Sequence, residues 1–240
     1  MRKSEALSAK RIFEQAGRKI IVTGHYGSGK TEFSVSLAML LAAEKAGKLA
    51  LIDLDIVNPY FRSRERRDIL KEAGIPLYGS FFQTEVTAEL PALGADVRAP
   101  LEDINCRVIV DAGGNDSGAL VLNQFMKYFT DDETTVIAVI NANRPDTRDL
   151  AGALEHIVAI EAVTGLTVTG LVNNCHLLRE TVADTVIKGH MLCESICEAT
   201  GKRLWCDCYP AGIVDPEELS ELSGTLMPLG LYMRPTWLDN

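Results

Sequence analysis

The 240-residue sequence lacks a long apolar run, and it lacks an excess of positive charge. No stretch approaches the ~20 consecutive apolar residues that a helix needs to span a bilayer. The N-terminus leads into a mixed polar segment and not into the apolar core of a secretory signal, so we expect a cytoplasmic protein without a transmembrane segment. The formal net charge of -9 argues against nucleic-acid binding, because proteins held by phosphate contacts usually carry a basic face.

The one basic segment is the N-terminus. Residues 1–19 contain six Lys and Arg side chains against two glutamates. We expect residues 1–18 to form a basic helical extension, either a surface helix that caps the domain or a helix that binds a membrane surface or a partner. Residues 19–240 show no linker or repeat and are expected to form a single domain.

Disulfides are not expected among the six cysteines, because a secretory signal is also lacking. Cys193 and Cys197 share one face of a predicted helix, and Cys206 and Cys208 share one face of a predicted strand. With His190, these four side chains form a conceivable zinc or iron–sulfur set. The alternative is that they pack in the core, where free cysteine is common.

Short β-branched runs alternate with longer segments of helical periodicity along the chain. Strands are predicted at 19–23, 49–53, 107–111, 134–140, 166–173 and 203–208, and helices at 31–46, 63–73, 148–163 and 180–199. Prolines interrupt residues 75–103, where we expect a short strand near 77–81 and a helix near 87–93. Apolar strands separated by helices indicate a three-layer α/β fold, with a mostly parallel sheet covered by helices on both faces.

A glycine-rich loop follows the first predicted strand and precedes the first predicted helix. Residues 24–31, with the sequence GHYGSGKT, fit the phosphate-loop pattern G-x-x-x-x-G-K-[ST] in its required context. The glycines let backbone N–H groups turn toward phosphate, and the helix N-terminus adds partial positive charge. Lys30 would neutralise phosphate oxygens, and the Thr31 hydroxyl would ligate Mg²⁺. The nucleotide-binding set predicted here is Gly24, Gly27, Ser28, Gly29, Lys30, Thr31 and Glu32.

Acidic residues end two further strands of the predicted sheet. Asp53 and Asp55 follow one strand, and Asp111 ends another, with Gly114 shortly after it. Ligands of open parallel sheets bind beyond the carboxyl ends of the strands, so these residues should lie beside the phosphate loop. We expect Asp111 to act through Mg²⁺ and the backbone N–H of Gly114 to lie near the γ-phosphate.

The order of the phosphate loop, Asp53-Leu54-Asp55, Asp111-Ala112-Gly113-Gly114 and Leu171-Val172-Asn173-Asn174 resembles the MinD/ParA group of P-loop ATPases. The resemblance extends from about residue 19 to about residue 210, and it implies the P-loop NTPase fold with ATP and Mg²⁺ as cofactors. It also implies a homodimer and a protein partner or client.

The resemblance further implies roles for individual residues. Asp55 matches the aspartate that positions the attacking water, so Lys30, Asp55 and Asp53 form the predicted catalytic set. Thr31, Asp53 and Asp111 form the predicted metal set, and Gly114 matches a switch glycine. Asn174 matches an asparagine that contacts the base, and Pro210 lies where the group lines the adenine pocket, after the last strand.

The sequence departs from this group inside the phosphate loop. The group has a lysine at the second position, which reaches the phosphates of the other subunit, and this chain has His25. Either an arginine supplies the missing charge or the dimer is not formed in this way. Arg62 and Arg64, which follow Asp55, are candidates, against the alternative of a solvated helix start. Arg144 is a third candidate, against the alternative that residues 143–146 only build a turn.

The leading functional hypothesis is a regulatory or chaperone-like ATPase with low intrinsic turnover that drives a partner switch. The alternative is an ATP-dependent small-molecule ligase or kinase of the dethiobiotin or cobyrinate synthase type. A nucleotide-binding module without hydrolysis is a third class. GTP stays open as a substrate, but Asn174 is not followed by the Lys-x-Asp that reads guanine in many GTPases, which favours ATP.

Overall fold

A computed structural model of the protein describes residues 14–45, 47–55, 67–79, 94–114 and 121–233. Most of the basic N-terminal extension, the helix expected near 87–93, and both Arg62 and Arg64 lie outside these residues. The guanidinium of Arg18, at the end of the extension, donates to the carbonyls of Leu101, Asp103 and Cys106. This side chain therefore anchors the start of the domain.

Eight parallel strands form one sheet within the described residues. Their order is β3-β2-β4-β1-β5-β6-β7-β8, and each neighbouring pair is parallel. The prediction of a mostly parallel sheet is confirmed. The strands are β1 (Lys19–Thr23), β2 (Lys48–Asp53), β3 (Leu77–Tyr78), β4 (Cys106–Asp111), β5 (Thr134–Ile140), β6 (Gly170–Asn173), β7 (Arg203–Pro210) and β8 (Leu226–Leu229).

Helices cover both faces of this sheet, as predicted. The α-helices with defined bounds are α1 (Lys30–Ala43), α2 (Arg67–Glu72), α3 (Gly94–Glu102), α4 (Leu150–Thr164) and α5 (Ala183–Thr200). Phe33 and Leu37 of α1 share a buried cluster with Val22, whereas Ile157 of α4 shares a second cluster with Ile21. Adjacent strand residues point to opposite faces, so the sheet separates two cores and the fold has three layers.

Three elements differ from the sequence-based expectation. Pro100, expected to break the chain, lies inside α3, where burial of Val97 and Leu101 offsets the lost backbone hydrogen bond. Strand β6 begins at Gly170 and not near residue 166. Strand β8 was not predicted, because it is short and contains Pro228, which a strand tolerates at the edge of a sheet.

The four cysteines considered as metal ligands belong to two different cores. Cys206 and Cys208 are buried in the cluster on the α1 side, whereas Cys193 is buried in the other cluster and Cys197 packs against it. Burial raises the pKa values of the Cys193 and Cys208 thiols well above the usual range for cysteine. The four side chains cannot converge on one ion across the sheet, so the hypothesis of a shared metal set is wrong and core packing explains them.

Within the part of the chain that the structure describes, no helix has the length and apolar character to cross a membrane.

Candidate nucleotide-binding site

The phosphate loop connects β1 to α1 at the centre of the sheet, between β4 and β5. Gly24, Gly27 and Gly29 have φ angles of 143°, 72° and 88°, a region that favours glycine. A Cβ at Gly29 would overlap the side-chain amide of Asn174, and one at Gly24 would lie 2.5 Å from the Val139 carbonyl oxygen. The predicted glycine positions are therefore required by both the backbone dihedrals and the close packing of the loop.

Lys30 begins α1 and is buried, with its Nζ donating to the carbonyl oxygen of His25 at 3.3 Å. Gly114 approaches the loop from the end of β4. A Cβ on Gly114 would overlap the carbonyl of Gly24 and lie 3.4 Å from Lys30 Nζ. The structure thus brings the predicted switch glycine against the predicted phosphate-binding lysine.

Asp111 is fully buried at the end of β4, and neither carboxylate oxygen makes a hydrogen bond of good geometry within the described residues. Burial, together with the nearby carboxylates of Asp53 and Asp55, raises the pKa of Asp111 to about 8, although Lys30 and the Thr31 hydroxyl oppose the shift. A buried carboxylate without well-formed hydrogen bonds is costly. This position therefore favours a bound cation.

Asp53 and Asp55 extend the acidic cluster from the neighbouring strand. Asp53 pairs in register with Asp111, and the Asp55 backbone N–H donates to Asp53 Oδ1 at 3.2 Å. Both side chains are buried. The described residues contain no group of three His, Cys, Asp or Glu side chains arranged to hold a metal by themselves. The Thr31 hydroxyl beside Asp111 instead fits Mg²⁺, which takes one or two protein oxygens and completes its shell with phosphate oxygens and water.

Asn174 follows β6 and is fully buried. Its Nδ2 donates to the carbonyl oxygen of Ser28 at 2.8 Å, while its Oδ1 has no hydrogen-bond partner among the residues that the structure describes. The amide therefore holds the phosphate loop with one end and presents an acceptor with the other. Pro210 ends β7, with β8 beyond it in the sheet. The expectation that Pro210 follows the last strand is wrong, because β7 continues to Pro210 and the short edge strand β8 comes after it.

Glu32 lies in the first turn of α1, but its carboxylate is engaged elsewhere. Its oxygens accept the backbone N–H groups of Tyr232 and Met233, each at 2.8 Å, and the Ser36 hydroxyl at 3.2 Å. The side chain thus anchors the segment after β8 to α1. Any contact of Glu32 with a nucleotide falls to its backbone N–H.

Sequence reasoning missed a group of side chains that surrounds the phosphate loop. His25 Nε2 lies 3.1 Å from Asp146 Oδ2, and its ring meets the ring of His156 edge-on at 5.1 Å. His176 lies beside Gly29. Burial is the main reason that the pKa of both His156 and His176 falls to about 4, so both are neutral at pH 7. No local sequence pattern predicts these contacts, because Asp146, His156 and His176 come from the β5–α4 loop, from α4 and from the segment after β6.

Comparison with known proteins supports the fold. No protein-family model and no curated protein matches the chain. FlhF complexed with GTP and Mg²⁺ is similar in structure, with a TM-score of 0.51 and 16% identity over 82% of this chain and 67% of that one. FtsY from Thermotoga maritima gives 0.52 and 17% over 82% and 67%. FtsY from Mycoplasma mycoides gives 0.52 and 14% over 78% and 58%. The chain spans between 58% and 67% of these structures, and the likeness shows the three-layer α/β fold of P-loop NTPases.

Proposed function

We propose that this chain is a Mg²⁺-dependent ATPase of MinD/ParA-like type, whose nucleotide state acts as a switch on a protein partner. The partner would be a regulatory target or a metallo- or redox enzyme under maturation. The observation that carries the proposal is the fully buried carboxylate of Asp111, which lies beside Lys30 and the Thr31 hydroxyl and makes no hydrogen bond of good geometry within the described residues. A Mg²⁺ ion held with a triphosphate on the phosphate loop would pair with this buried carboxylate and offset the cost of burying its negative charge.

The chemistry follows from positioning and charge, not from a covalent intermediate. Backbone N–H groups of the loop and the Lys30 ammonium would hold the phosphates. Thr31 and Asp111 would hold Mg²⁺, with Asp53 in its outer shell; when bound, the ion neutralises charge on the phosphoryl oxygens. Asp55 would orient the attacking water. The backbone N–H of Gly114, beside Lys30, would donate a hydrogen bond to the γ-phosphate. This contact would be lost on hydrolysis, so the segment at Gly114 would differ between the two nucleotide states.

The residues after Asn174 support ATP over GTP. The chain continues Cys175-His176-Leu177 and lacks the Lys-x-Asp that reads guanine in many GTPases. One N–H of the Asn174 amide donates to Ser28, and its Oδ1, which has no partner among the described residues, is an acceptor that the amino group of either adenine or guanine could use. The preference for ATP therefore rests on the missing Lys-x-Asp. The FlhF structure contains GTP, so both nucleotides belong in the test.

The decisive experiment measures ATP and GTP binding and turnover, with and without Mg²⁺, in three purified proteins. Lys30→Ala should weaken ATP binding about 10- to 100-fold, the cost of a lost charge-assisted hydrogen bond. The control Lys71→Ala removes an exposed lysine of α2 and should bind ATP like the wild type. Unchanged ATP affinity in Lys30→Ala would overturn the proposal. Turnover that requires a small carboxylate or amine would identify the ligase or kinase alternative instead.

A further inference from the structure

The loop between β5 and α4, residues 141–149, is a rigid turn. Thr147 Oγ1 and the Arg144 backbone N–H both donate to the carbonyl oxygen of Asn141, at 2.9 and 3.1 Å. The Thr147 N–H donates in turn to the Arg144 carbonyl oxygen at 3.1 Å. A Cβ at Gly152 in α4 would overlap the Asp146 carbonyl, so the helix packs directly on the turn. The side chains of this loop therefore project from a fixed backbone.

Two contacts hold this loop against the phosphate loop. Arg144 Nε donates to the Gly27 carbonyl oxygen at 2.6 Å, and Asp146 Oδ2 lies 3.1 Å from His25 Nε2. The guanidinium carbon of Arg144 would lie 3.1 Å from a Cβ on Gly27. The absence of a side chain at Gly27 thus lets the guanidinium lie directly on the phosphate loop.

His25 is turned inward by these contacts. Its Nδ1 lies 2.8 Å from the Tyr26 carbonyl oxygen, and its Nε2 faces Asp146. Both partners are acceptors, so a neutral ring can donate a hydrogen bond in one of these contacts at a time. The contacts turn the ring toward its own chain, and histidine is also shorter than the lysine that the resemblance implies at this position.

Arg144 keeps most of its binding capacity. Arginine has five N–H donors in a planar fork suited to phosphate, and contacts with the described residues occupy Nε alone. Among the described residues, no carboxylate forms an ion pair with Arg144, although Asp146 and Asp149 lie in the same β5–α4 loop. An exposed guanidinium that is held at the Gly27 carbonyl, and that has no ion-pair partner among the described residues, is suited to bind an anionic ligand beside the phosphate loop.

Building on the proposed function, we propose that Arg144 contacts the bound triphosphate within its own chain and stabilises the charge that develops during phosphoryl transfer. The β5–α4 loop would then provide in cis the cation that MinD/ParA-like proteins take from a second subunit. One chain would hold a complete hydrolytic site, so dimerisation would serve signalling and not the chemistry.

The test compares Arg144→Ala, Arg144→Lys and the control Arg148→Ala. Arg148 lies in the same loop, is exposed, and has its nearest charge partner in Asp149 at 3.7 Å. Loss of an arginine that stabilises transferring phosphate should lower turnover about 100-fold or more in Arg144→Ala. ATP affinity should change far less, and the affinity for ADP with aluminium fluoride, a transition-state mimic, should fall with turnover. Arg144→Lys should recover part of the loss, and Arg148→Ala should match the wild type.

Mixing distinguishes action within one chain from action between chains. If Arg144 acts in cis, neither the Lys30→Ala chain nor the Arg144→Ala chain has a complete site. ATP turnover of the mixture should then stay as slow as that of the two variants measured separately. Wild-type turnover per chain should also be constant over a 100-fold range of protein concentration. Restored turnover in the mixture would overturn the inference, as would wild-type turnover in Arg144→Ala. A wild type without any nucleotide turnover would overturn the proposed function and this inference with it.

Discussion

Replacing Asp111 with asparagine should make the nucleotide-free protein more stable at neutral pH and should weaken its response to Mg²⁺ and nucleotide. The side chain is fully buried beside two other carboxylates, so its charged form is disfavoured in the folded state. Asparagine has nearly the same shape and carries no charge. The substitution therefore removes the electrostatic cost and leaves the packing almost unchanged.

The sign follows from the direction of the pKa shift. Burial raises the pKa of Asp111 from 3.8 to about 8, so the folded state holds a proton that the unfolded state releases. The free energy of unfolding should then fall as pH rises from about 4 to about 8, by roughly 1.4 kcal/mol per pH unit at most. Asp111→Asn removes this slope. The two proteins should be equally stable near pH 4, and the variant should be more stable by roughly 2–4 kcal/mol at pH 7.

Urea unfolding in the presence of a chelator, at several pH values between 4.5 and 8.5, measures this difference. Asp132→Asn, at an exposed position, is the control and should follow the wild type. Adding Mg²⁺ and ATP should stabilise the wild type by RT ln(1 + [ATP]/Kd), which grows with the ATP concentration, and should stabilise Asp111→Asn much less. Parallel pH curves for the wild type and Asp111→Asn, or a variant less stable than the wild type at pH 8, would refute the reasoning.

Two further predictions concern the phosphate loop. Gly29→Ala should abolish measurable ATP binding, because the added Cβ would overlap the side chain of Asn174. The control Gly47→Ala has space for a Cβ, so it should cost only about 1–2 kcal/mol of stability through its φ of 95° and should leave ATP affinity unchanged. Equal ATP affinities in the two variants would contradict the packing argument. Asn174→Ala removes the hydrogen bond to Ser28 and should weaken ATP binding about tenfold, as measured by titration calorimetry. An equal loss of GTP affinity would show that the amide acts only by holding the phosphate loop and does not contact the base.

Local chemistry made the phosphate loop and the parallel sheet predictable. The dihedral demands on Gly24 and Gly29 and the apolar character of the strands are recorded in short stretches of sequence. The carboxylate cluster followed because parallel strands end at one edge, and Asp53 and Asp111 do pair in register. Each of these predictions depended on a pattern of fewer than ten residues or on a general rule of sheet topology.

Contacts between elements were not predictable in the same way. His25 meets Asp146 because β1 pairs with β5, with Thr23 opposite Ala138, and that register is set by the whole sheet. Glu32 looked like part of the nucleotide site because it adjoins Thr31. Its carboxylate instead accepts hydrogen bonds from the backbone N–H groups of Tyr232 and Met233, near the other end of the chain. No local sequence pattern distinguishes this structural role from a role in nucleotide binding.

The two explanations considered for residues 143–146, a simple turn or a site for a functional arginine, are compatible. A long arginine side chain loses up to ~2 kcal/mol of conformational entropy when it is immobilised. The turn fixes the backbone of Arg144, and the bond from Nε to Gly27 fixes much of its side chain before any ligand binds. A guanidinium held in advance can bind phosphate at a lower entropic cost than a free lysine from another subunit. If Arg144 acts in cis, the turn residues are what make this arginine an adequate replacement for the missing lysine.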